Sequence, residues 1–259
     1  MTDTPFPPST PEPPLVSGDT AHAPTPRRSR WRPLHVLWEW TKSMTTALLL
    51  FFVVRSFLVE AFKIPSGSME GTLLVGDFLL VNKLVYGAEV PFTAARLPAV
   101  RAPQHEDVIV FRWPQDPTKD FVKRVAGLPG DTLGMVDGVL QRNGQALRER
   151  YSSHTEPGSD PAGEEFRWQR QYLVGRARAG RSYHPSRNNW GPLVVPPAHL
   201  FVLGDNRDNS LDSRYWGFVP DSLVKGRPML VYFSYAPDSA SPVPFLTKVR
   251  WQRLGTRIR

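Results

Sequence analysis

The chain has 259 residues, enough for one sizeable folded core with appended segments in one or two domains. Its formal net charge of +8 suits nucleic acid, an anionic membrane surface or acidic substrates, and so does not decide between them. The sequence has no cysteine, which excludes disulfides, a thiol nucleophile and cysteine-ligated zinc or iron–sulfur sites.

Residues 1–33 form the first predicted segment. It is rich in Pro, Thr and Ser and ends in a cluster of arginines. Few large apolar side chains are present to offset the entropy lost on ordering, so we expect a disordered basic tail.

An apolar stretch at residues 34–62 is predicted to be a transmembrane anchor helix. Its uncharged part, residues 43–54, is shorter than the roughly 20 residues that a spanning helix needs, so a signal-peptide core, an amphipathic helix or a buried helix remains an alternative. A helix over residues 37–59 is long enough to span if its charged residues lie near the two interfaces. These residues are Glu39, Lys42 and Arg55.

The flanking residues predict how this segment is oriented. Arginines precede it, which favours a cytoplasmic N-terminus and places the chain after Val59 on the far side of the membrane. No small-x-small pattern clearly follows the apolar core, so we do not expect the segment to be cleaved off.

The sequence after residue 62 has a pattern typical of β-strands joined by turns. Short apolar runs at residues 78–81, 108–111, 200–203 and 230–233 alternate with Gly, Pro, Asp and Asn. We therefore predict a mainly β catalytic domain over residues 63–259. Within it, the polar, arginine-rich residues from about 141 to 190 are interpreted as an inserted extension or long hairpin.

Three motifs in this region are informative together. The first box is IPSGSM at residues 64–69, followed by Gly-Asp at 76–77; the second is FVKRVAGLPGD at 121–131; the third is GDNRDNSLDSR at 204–214. Each alone is typical of loops and turns. In this order they resemble the signature boxes of bacterial type I signal peptidases, the leader peptidases, and the third box is the most specific.

The resemblance covers residues 62–217, apart from the extension, and the tail at 251–258. It implies an antiparallel β catalytic domain behind an N-terminal membrane anchor. It also implies a Ser–Lys endopeptidase that removes signal peptides from exported preproteins after small-x-small sites. The location implied is the bacterial inner membrane, with the catalytic domain on the outer, periplasmic face. The lipid bilayer and signal peptides are the implied partners, the protein-export translocon is a further candidate, and neither nucleic acid nor a cofactor is expected.

The resemblance assigns Ser68 as nucleophile and Lys123 as general base, and elementary chemistry agrees with it. A serine hydroxyl needs a base to accept its proton during attack. A lysine can serve only if its neutral form is populated, which requires its pKa to fall by roughly two to three units through burial or cationic neighbours. Phe121, Val122 and Val125 supply apolar neighbours, so desolvation is the expected cause.

Further roles follow from the resemblance alone. Ser210 is expected to hydrogen-bond the Lys123 amine and to aim it at Ser68. The backbone N–H of Ser68 and the hydroxyl of Ser66 are expected to form the oxyanion hole. Three third-box residues are expected to support the site, although an ordinary surface ion pair remains an alternative for the first two: Asp212, Arg214 and Gly204.

Small side chains before the scissile bond imply shallow apolar subsites. The residues that match such walls could equally belong to the β core: Phe62, Ile64, Pro65, Met69, Leu73, Leu79, Val110, Phe121 and Val122. Asp120 lies beside them and is expected to meet the substrate backbone.

Two positions depart from the family pattern. Gly71 replaces a common proline that would fix φ, so we expect a looser turn beside an intact nucleophile. Phe121 replaces a frequent tyrosine and loses its hydroxyl.

Three other hypotheses compete with a signal-peptide-removing enzyme. A Ser–His–Asp hydrolase would pair Ser68 with His105 and Asp107. An autoproteolytic repressor would need an N-terminal DNA-binding domain, which the proline-rich tail and apolar segment do not provide. A catalytically silent membrane protein would use its basic surface for lipid or translocon binding.

Overall fold

The computed structural model of the protein describes residues 32–93, 95–156, 158–175, 183–237 and 244–259. Two compact units are distinguished, Met1–Thr46 and Ala47–Arg259. The predicted disordered tail lies outside the described residues, except for its last two, which begin the first helix.

Helix α1, Arg32–Val53, is rich in Leu and aromatic residues and contains no glycine. It continues as one π-helical turn, Val54–Leu58. Within the described ranges, one helix, His35–Leu58, is long and apolar enough to cross a membrane, and none of its apolar window is buried by protein. A water-exposed apolar helix is unfavourable, and a bilayer would cover its apolar side chains.

The predicted end of the anchor is wrong by four residues. We expected the helix to continue to residue 62, but it ends at Leu58 and Val59 has extended backbone angles. Residues Val59–Lys63 form a strand that pairs with Asp77–Asn82 along its whole length. Backbone hydrogen bonding to that strand therefore ends the helix, although apolar residues recur as far as residue 62.

The strands of the described residues are, in chain order, β1 Val59–Lys63, β2 Asp77–Asn82, β3 Val108–Trp113, β4 Asp116–Gly127, β5 Thr132–Val136, β6 Val139–Arg142, β7 Gln145–Ala146, β8 Trp190–Val194, β9 His199–Leu203, β10 Val219–Pro220 and β11 Val224–Ser234. The short helices are α2 Ser213–Trp216 and α3 Pro244–Thr247, and the 3-10 turns are Gly67–Met69, Leu84–Tyr86, Glu164–Tyr172, Asp221–Leu223 and Trp251–Arg253.

The main sheet has seven strands in the order β1-β2-β11-β3-β4-β9-β10, and its strand pairs are antiparallel. Successive residues of β3 point to opposite faces. Val108 and Val110 join one core cluster, whereas Ile109 and Phe111 join another. Both faces of the sheet are therefore covered, and the prediction of a mainly antiparallel β domain is confirmed.

A second sheet, with four strands in the order β7-β6-β5-β8, contributes Leu133, Met135 and Trp190 to a core cluster that it shares with Phe201 and Leu203 of β9. This sheet corrects the predicted bounds of the extension, because it begins at Thr132 and closes with β8 at Val194. Strand β5 pairs with both β6 and β8, so the polar residues between these strands are a long connection within one sheet.

Candidate active site

Ser68 lies in the 3-10 turn Gly67–Met69, shortly after β1, and is 9% exposed. Two backbone bonds tie the strand end to the following turn, from the Ile64 N–H to the Asp77 carbonyl and from the Gly76 N–H to the Ile64 carbonyl. The Asn206 N–H also donates to the Ser68 carbonyl at 3.1 Å. The third box therefore holds the serine turn from the other side.

Strand β4 carries Lys123, whose amine lies against this serine. The Lys123 Nζ is 2.7 Å from the Ser68 Oγ and 3.2 Å from the Val122 carbonyl oxygen. The residue is 4% exposed. Burial lowers the pKa of Lys123 to about 8, helped by the Arg214 charge and opposed by Asp212 and Asp205. This is the direction that its apolar sequence neighbours predict.

This geometry suits proton transfer from the serine hydroxyl. A base with a pKa near 8 has about a tenth of its molecules neutral at pH 7, which meets the requirement for general-base catalysis. The Val122 carbonyl accepts a hydrogen bond from the amine and restricts its rotation. The lysine stem is thereby held in one geometry instead of sampling many.

The predicted oxyanion donors flank the nucleophile. The Ser66 Oγ lies 3.5 Å from the Ser68 Oγ, and Ser66 has an extended backbone immediately before the serine turn. A hydroxyl in this place can donate to an oxygen that develops beside Ser68. The oxyanion role of Ser66 and of the Ser68 N–H stays a prediction.

Ser210 differs from its predicted role. No hydrogen bond joins its buried hydroxyl to Lys123, so the expected bond is not present, and the Ser210 side chain helps to lower the pKa of Asp212. The third-box turn instead packs Ser210 against Gly204. A Cβ added at Gly204 would collide with the Ser210 hydroxyl and the Ser68 carbonyl, so this position requires glycine.

Asp212 and Arg214 form a buried ion pair, each 0% exposed, and the alternative of a surface pair is wrong. Two guanidinium nitrogens of Arg214 each lie 2.8 Å from a different carboxylate oxygen of Asp212, in a bidentate geometry. Asp212 also accepts from the Gly204 N–H at 3.1 Å. Burial tends to raise the pKa of Asp212, but the Arg214 charge and these hydrogen bonds hold it below its usual value.

An apolar cleft with a volume of about 380 Å³ opens beside the Ser68–Lys123 pair. Seven predicted subsite residues line it: Phe62, Ile64, Pro65, Met69, Asp120, Phe121 and Val122. The cleft is formed where β1 and β4 approach the serine turn.

Leu73, Leu79 and Val110 do not line this cleft and are 0% exposed in the core beneath it, so their contact with a substrate stays a prediction. Leu79 and Val110 occupy inward-facing positions of β2 and β3, so the pleat directs them into the core.

Three further residues of the cleft were missed by sequence reasoning: Lys63, Asn209 and Leu211. Asn209 and Leu211 flank Ser210 in the third box, and this position in the sequence could have indicated that they lie at the cleft. Lys63 lies between two predicted wall residues, but a charged side chain is not expected in the wall of an apolar subsite.

The Asp120 carboxylate lies in the cleft wall but already has a partner. The Lys225 Nζ donates to it at 2.7 Å and also lies 5.5 Å from the centre of the Phe62 ring. Contact between Asp120 and a substrate backbone stays a prediction.

The residues of the rival Ser–His–Asp triad have other partners. The His105 Nε2 lies 2.6 Å from an Asp131 carboxylate oxygen. Asp107 is held by two guanidinium contacts from Arg101 and by the Tyr86 hydroxyl. The Ser68 hydroxyl contacts Lys123 and Ser66 instead, so this alternative loses its base.

The turn after the nucleophile was expected to be looser because Gly71 replaces a proline. The backbone conformation at this position instead requires glycine. Gly71 has φ of +104°, which proline cannot adopt. The next residue, Thr72, donates its hydroxyl to Asp205 at 2.6 Å and so joins the turn to the third box. Phe121 is the second position that departs from the family pattern. Its ring stacks on Trp113, with ring centres 5.2 Å apart.

A Ser–Lys pair beside an apolar cleft on an antiparallel β domain is the arrangement of a serine hydrolase. A family model described as "Signal peptidase, peptidase S26" matches residues 37–233. The chain therefore belongs to the signal peptidase S26 family.

Individual relatives agree with this membership. The chain is similar to a signal peptidase I of Pseudomonas aeruginosa, with 39% identity over 228 residues that cover 83% of this chain and 78% of the relative. A signal peptidase I of Haemophilus influenzae is 31% identical over 278 residues, which cover 90% of this chain and 79% of the relative.

A crystal structure of a signal peptidase I from Enterococcus faecalis is also similar, at 30% identity over 50% of this chain and 98% of that chain. Its TM-score of 0.34 is too low to support the fold.

Proposed function

We propose that this chain removes N-terminal signal peptides from exported preproteins, cleaving after small-x-small sites through an acyl-enzyme formed on Ser68. The observation that carries the proposal is the 2.7 Å contact between the Ser68 Oγ and the buried Lys123 amine. Membership of the signal peptidase family supports the choice of substrate.

The first half of the reaction transfers the acyl group to the enzyme. Neutral Lys123 accepts the hydroxyl proton as the Ser68 Oγ attacks the scissile carbonyl carbon. The Ser68 N–H and the Ser66 hydroxyl donate to the oxyanion of the tetrahedral intermediate. The intermediate collapses, the Lys123 ammonium gives its proton to the leaving amine, and the signal peptide remains esterified to Ser68.

The second half releases the signal peptide. Lys123, again neutral, takes a proton from a water molecule that attacks the ester carbonyl. When this intermediate collapses, the proton returns to the Ser68 oxygen and the signal peptide leaves as a carboxylic acid. The Lys123 amine thus serves as base and then as acid in each half.

The remaining site residues position this pair. The Asp212–Arg214 pair fixes the third box through the Gly204 N–H. We assign Ser210 no proton transfer, and its buried side chain packs the third-box turn against Gly204. The cleft floor contains Ile64 and Met69, whose burial leaves room for small substrate side chains.

The helix over residues 35–58 is proposed as the membrane anchor, preceded by a cytoplasmic tail and followed by the catalytic domain on the outer face of the bacterial inner membrane. The arginines before the helix support this orientation. Ser68 follows Leu58 by ten residues, a reach of at most about 35 Å, so cleavage takes place near the bilayer. The bilayer is a partner, the export translocon is a further candidate partner, and neither a cofactor nor nucleic acid is required.

Cleavage of a preprotein with an Ala-x-Ala site by the full chain, in detergent or lipid, tests the proposal. Ser68→Ala and Lys123→Ala should each lose activity by a factor of about 1,000 or more, because they remove the nucleophile or the base. Lys119→Ala is a matched control on the same strand, since Lys119 is exposed. Mass spectrometry of the product locates the cut. Absence of cleavage by the unmodified chain would favour the alternative of a catalytically silent membrane protein. Cleavage that requires His105 instead of Lys123 would overturn the Ser–Lys assignment.

A further inference from the structure

A second cavity lies away from the Ser68–Lys123 pair and has no role in the reaction. Its volume is about 670 Å³, and its walls include the end of the apolar helix and the turn residues 89–93 and 95–96. Phe52 and Arg55 belong to the helix, and Phe92 and Arg96 to the turn. All of these residues lie in the unit Ala47–Arg259.

The cavity carries excess positive charge. Its lining includes four cations and two carboxylates: Arg55, Lys83, Arg96, Arg112, Glu60 and Glu89. Lys83 pairs with Glu60 at 3.4 Å, and Arg112 pairs with Glu89 at 2.5 Å. Two arginine charges remain after these pairs, which favours an anionic ligand.

The two remaining arginines differ in how they are held. The Arg96 guanidinium donates to the backbone carbonyls of Gly87, Ser222 and Val224. These neutral oxygens fix its position without cancelling its charge. Arg55 is exposed and forms no ion pair with the residues that the structure describes.

The tip of the turn presents an unusual apolar side chain. Phe92 is 99% exposed and has a left-handed φ of 63°, a conformation that a bulky residue seldom adopts. A bridge between Glu89 and Arg96 closes the turn at its base. The turn thus holds a phenyl ring in solvent beside a cationic cavity, and such an arrangement matches the boundary between lipid acyl chains and headgroups.

We propose that this cavity binds the phosphate of an anionic membrane phospholipid, with Phe92 inserted among the acyl chains of the same leaflet. The inference rests on the proposed membrane anchor. If residues 35–58 cross the bilayer, Arg55 near the outer end of the helix lies at headgroup depth, where phosphates are concentrated. The cavity then gives the catalytic domain an attachment to lipid in addition to the helix.

Spin labelling tests the insertion of Phe92. The sequence has no cysteine, so Phe92→Cys gives a unique labelling site, and Val100→Cys is a matched control at a side chain that is 78% exposed elsewhere. Both are made in the Ser68→Ala background and placed in nanodiscs of phosphatidylcholine with phosphatidylglycerol. We expect the label at 92 to collide with oxygen and to be shielded from a water-soluble nickel chelate, whereas the label at 100 is accessible to the chelate.

The same experiment separates the two proposals. Equal chelate access at positions 92 and 100 in protein that has entered the nanodiscs overturns the lipid site alone. Failure to enter the nanodiscs overturns the anchor as well, and preprotein cleavage by the unmodified chain is measured independently of both.

Lipid binding tests whether the Arg55 charge contributes to the affinity for an anionic phospholipid. Phosphatidylglycerol is titrated against the detergent-solubilised full chain, with Arg55→Gln compared to Arg148→Gln, an exposed arginine of the extension. Loss of one charge-assisted hydrogen bond should weaken binding about tenfold for Arg55→Gln and leave Arg148→Gln unchanged. Equal affinities for the two variants, or saturation of the cavity by inorganic phosphate with no competition from the lipid, would contradict the proposal. Unchanged melting temperatures show that both variants are folded.

Discussion

Replacing Lys123 by methionine should abolish catalysis and make the protein more stable at neutral pH. The pKa of this buried amine falls from 10.5 to about 8, which corresponds to a cost of about 3 kcal/mol for keeping it protonated in the folded state. Methionine has a similar length and no charge, so it removes this cost. The variant loses the hydrogen bond to Ser68, worth about 1 kcal/mol, which leaves a net gain of about 2 kcal/mol.

The stability that Lys123→Met gains over the unmodified protein should decrease as the pH rises. Below pH 8 the amine is protonated in both the folded and unfolded states, so the folded state bears the full cost. Between pH 8 and 10.5 the folded state releases the proton first, and the stability of the unmodified protein rises. Above that range Lys123→Met should no longer be the more stable protein.

Thermal unfolding at pH 7 and at pH 10.5 measures this effect, and a gain of about 2 kcal/mol raises the Tm at pH 7 by roughly 4–8 °C. Lys119→Met is the control, because Lys119 is 62% exposed and should show no such pH dependence. A Lys123→Met protein that is less stable at pH 7, or that keeps the same advantage at pH 10.5, would refute the claim that burial lowers the pKa of this lysine.

Three further substitutions have defined outcomes. Gly204→Ala should lose most preprotein cleavage and lower the free energy of unfolding by about 2 kcal/mol, because its methyl group meets the Ser68 carbonyl; kinetics with a melting curve check both. Gly71→Pro should destabilise the protein by more than about 1 kcal/mol, since proline cannot adopt φ of +104°, and a Tm equal to that of the unmodified chain would contradict this. Asp212→Asn should lower the stability by about 3–5 kcal/mol and, because Asp212 raises the pKa of Lys123, shift the rising limb of the pH–rate profile to lower pH; an upward shift would contradict the assigned sign.

The class of fold was predicted from the sequence for a physical reason, whereas the Ser68–Lys123 pair was predicted from the family resemblance. Short apolar runs between turn residues are characteristic of strands, and the four predicted runs lie in β2, β3, β9 and β11. Ser68 and Lys123 are 55 residues apart, so their contact depends on the pairing of strands and not on local sequence. Only the ordered set of three boxes related them.

Other features depended on information that local sequence lacks. Apolar residues such as Val59 and Ala61 recur after the helix, and nothing local shows that β2 pairs with them and ends the helix. The period of two along a strand indicates two faces but not which face borders the cleft, so Leu79 and Val110 were assigned to the substrate site although they lie in the core.

The extension was underestimated for a similar reason. Its segment around Glu149 packs on two of the boxes. Glu149 pairs with Arg207 of the third box at 2.7 Å, and Tyr151 covers Arg124 of the second box with 4.0 Å between the guanidinium carbon and the ring centre. These contacts join residues more than 25 positions apart in the chain, and neither motif nor periodicity indicates them.

The pH dependence of kcat/KM for preprotein cleavage tests the central claim most directly, because it reports the pKa of the essential base in the free enzyme. If Lys123 is that base, activity should fall about tenfold for each pH unit below a midpoint near pH 8 and level off above it, and His105→Ala should leave the profile unchanged. A midpoint near pH 6.5 that disappears in His105→Ala, or a flat profile between pH 6 and 9 in the folded enzyme, would contradict the Ser68–Lys123 mechanism.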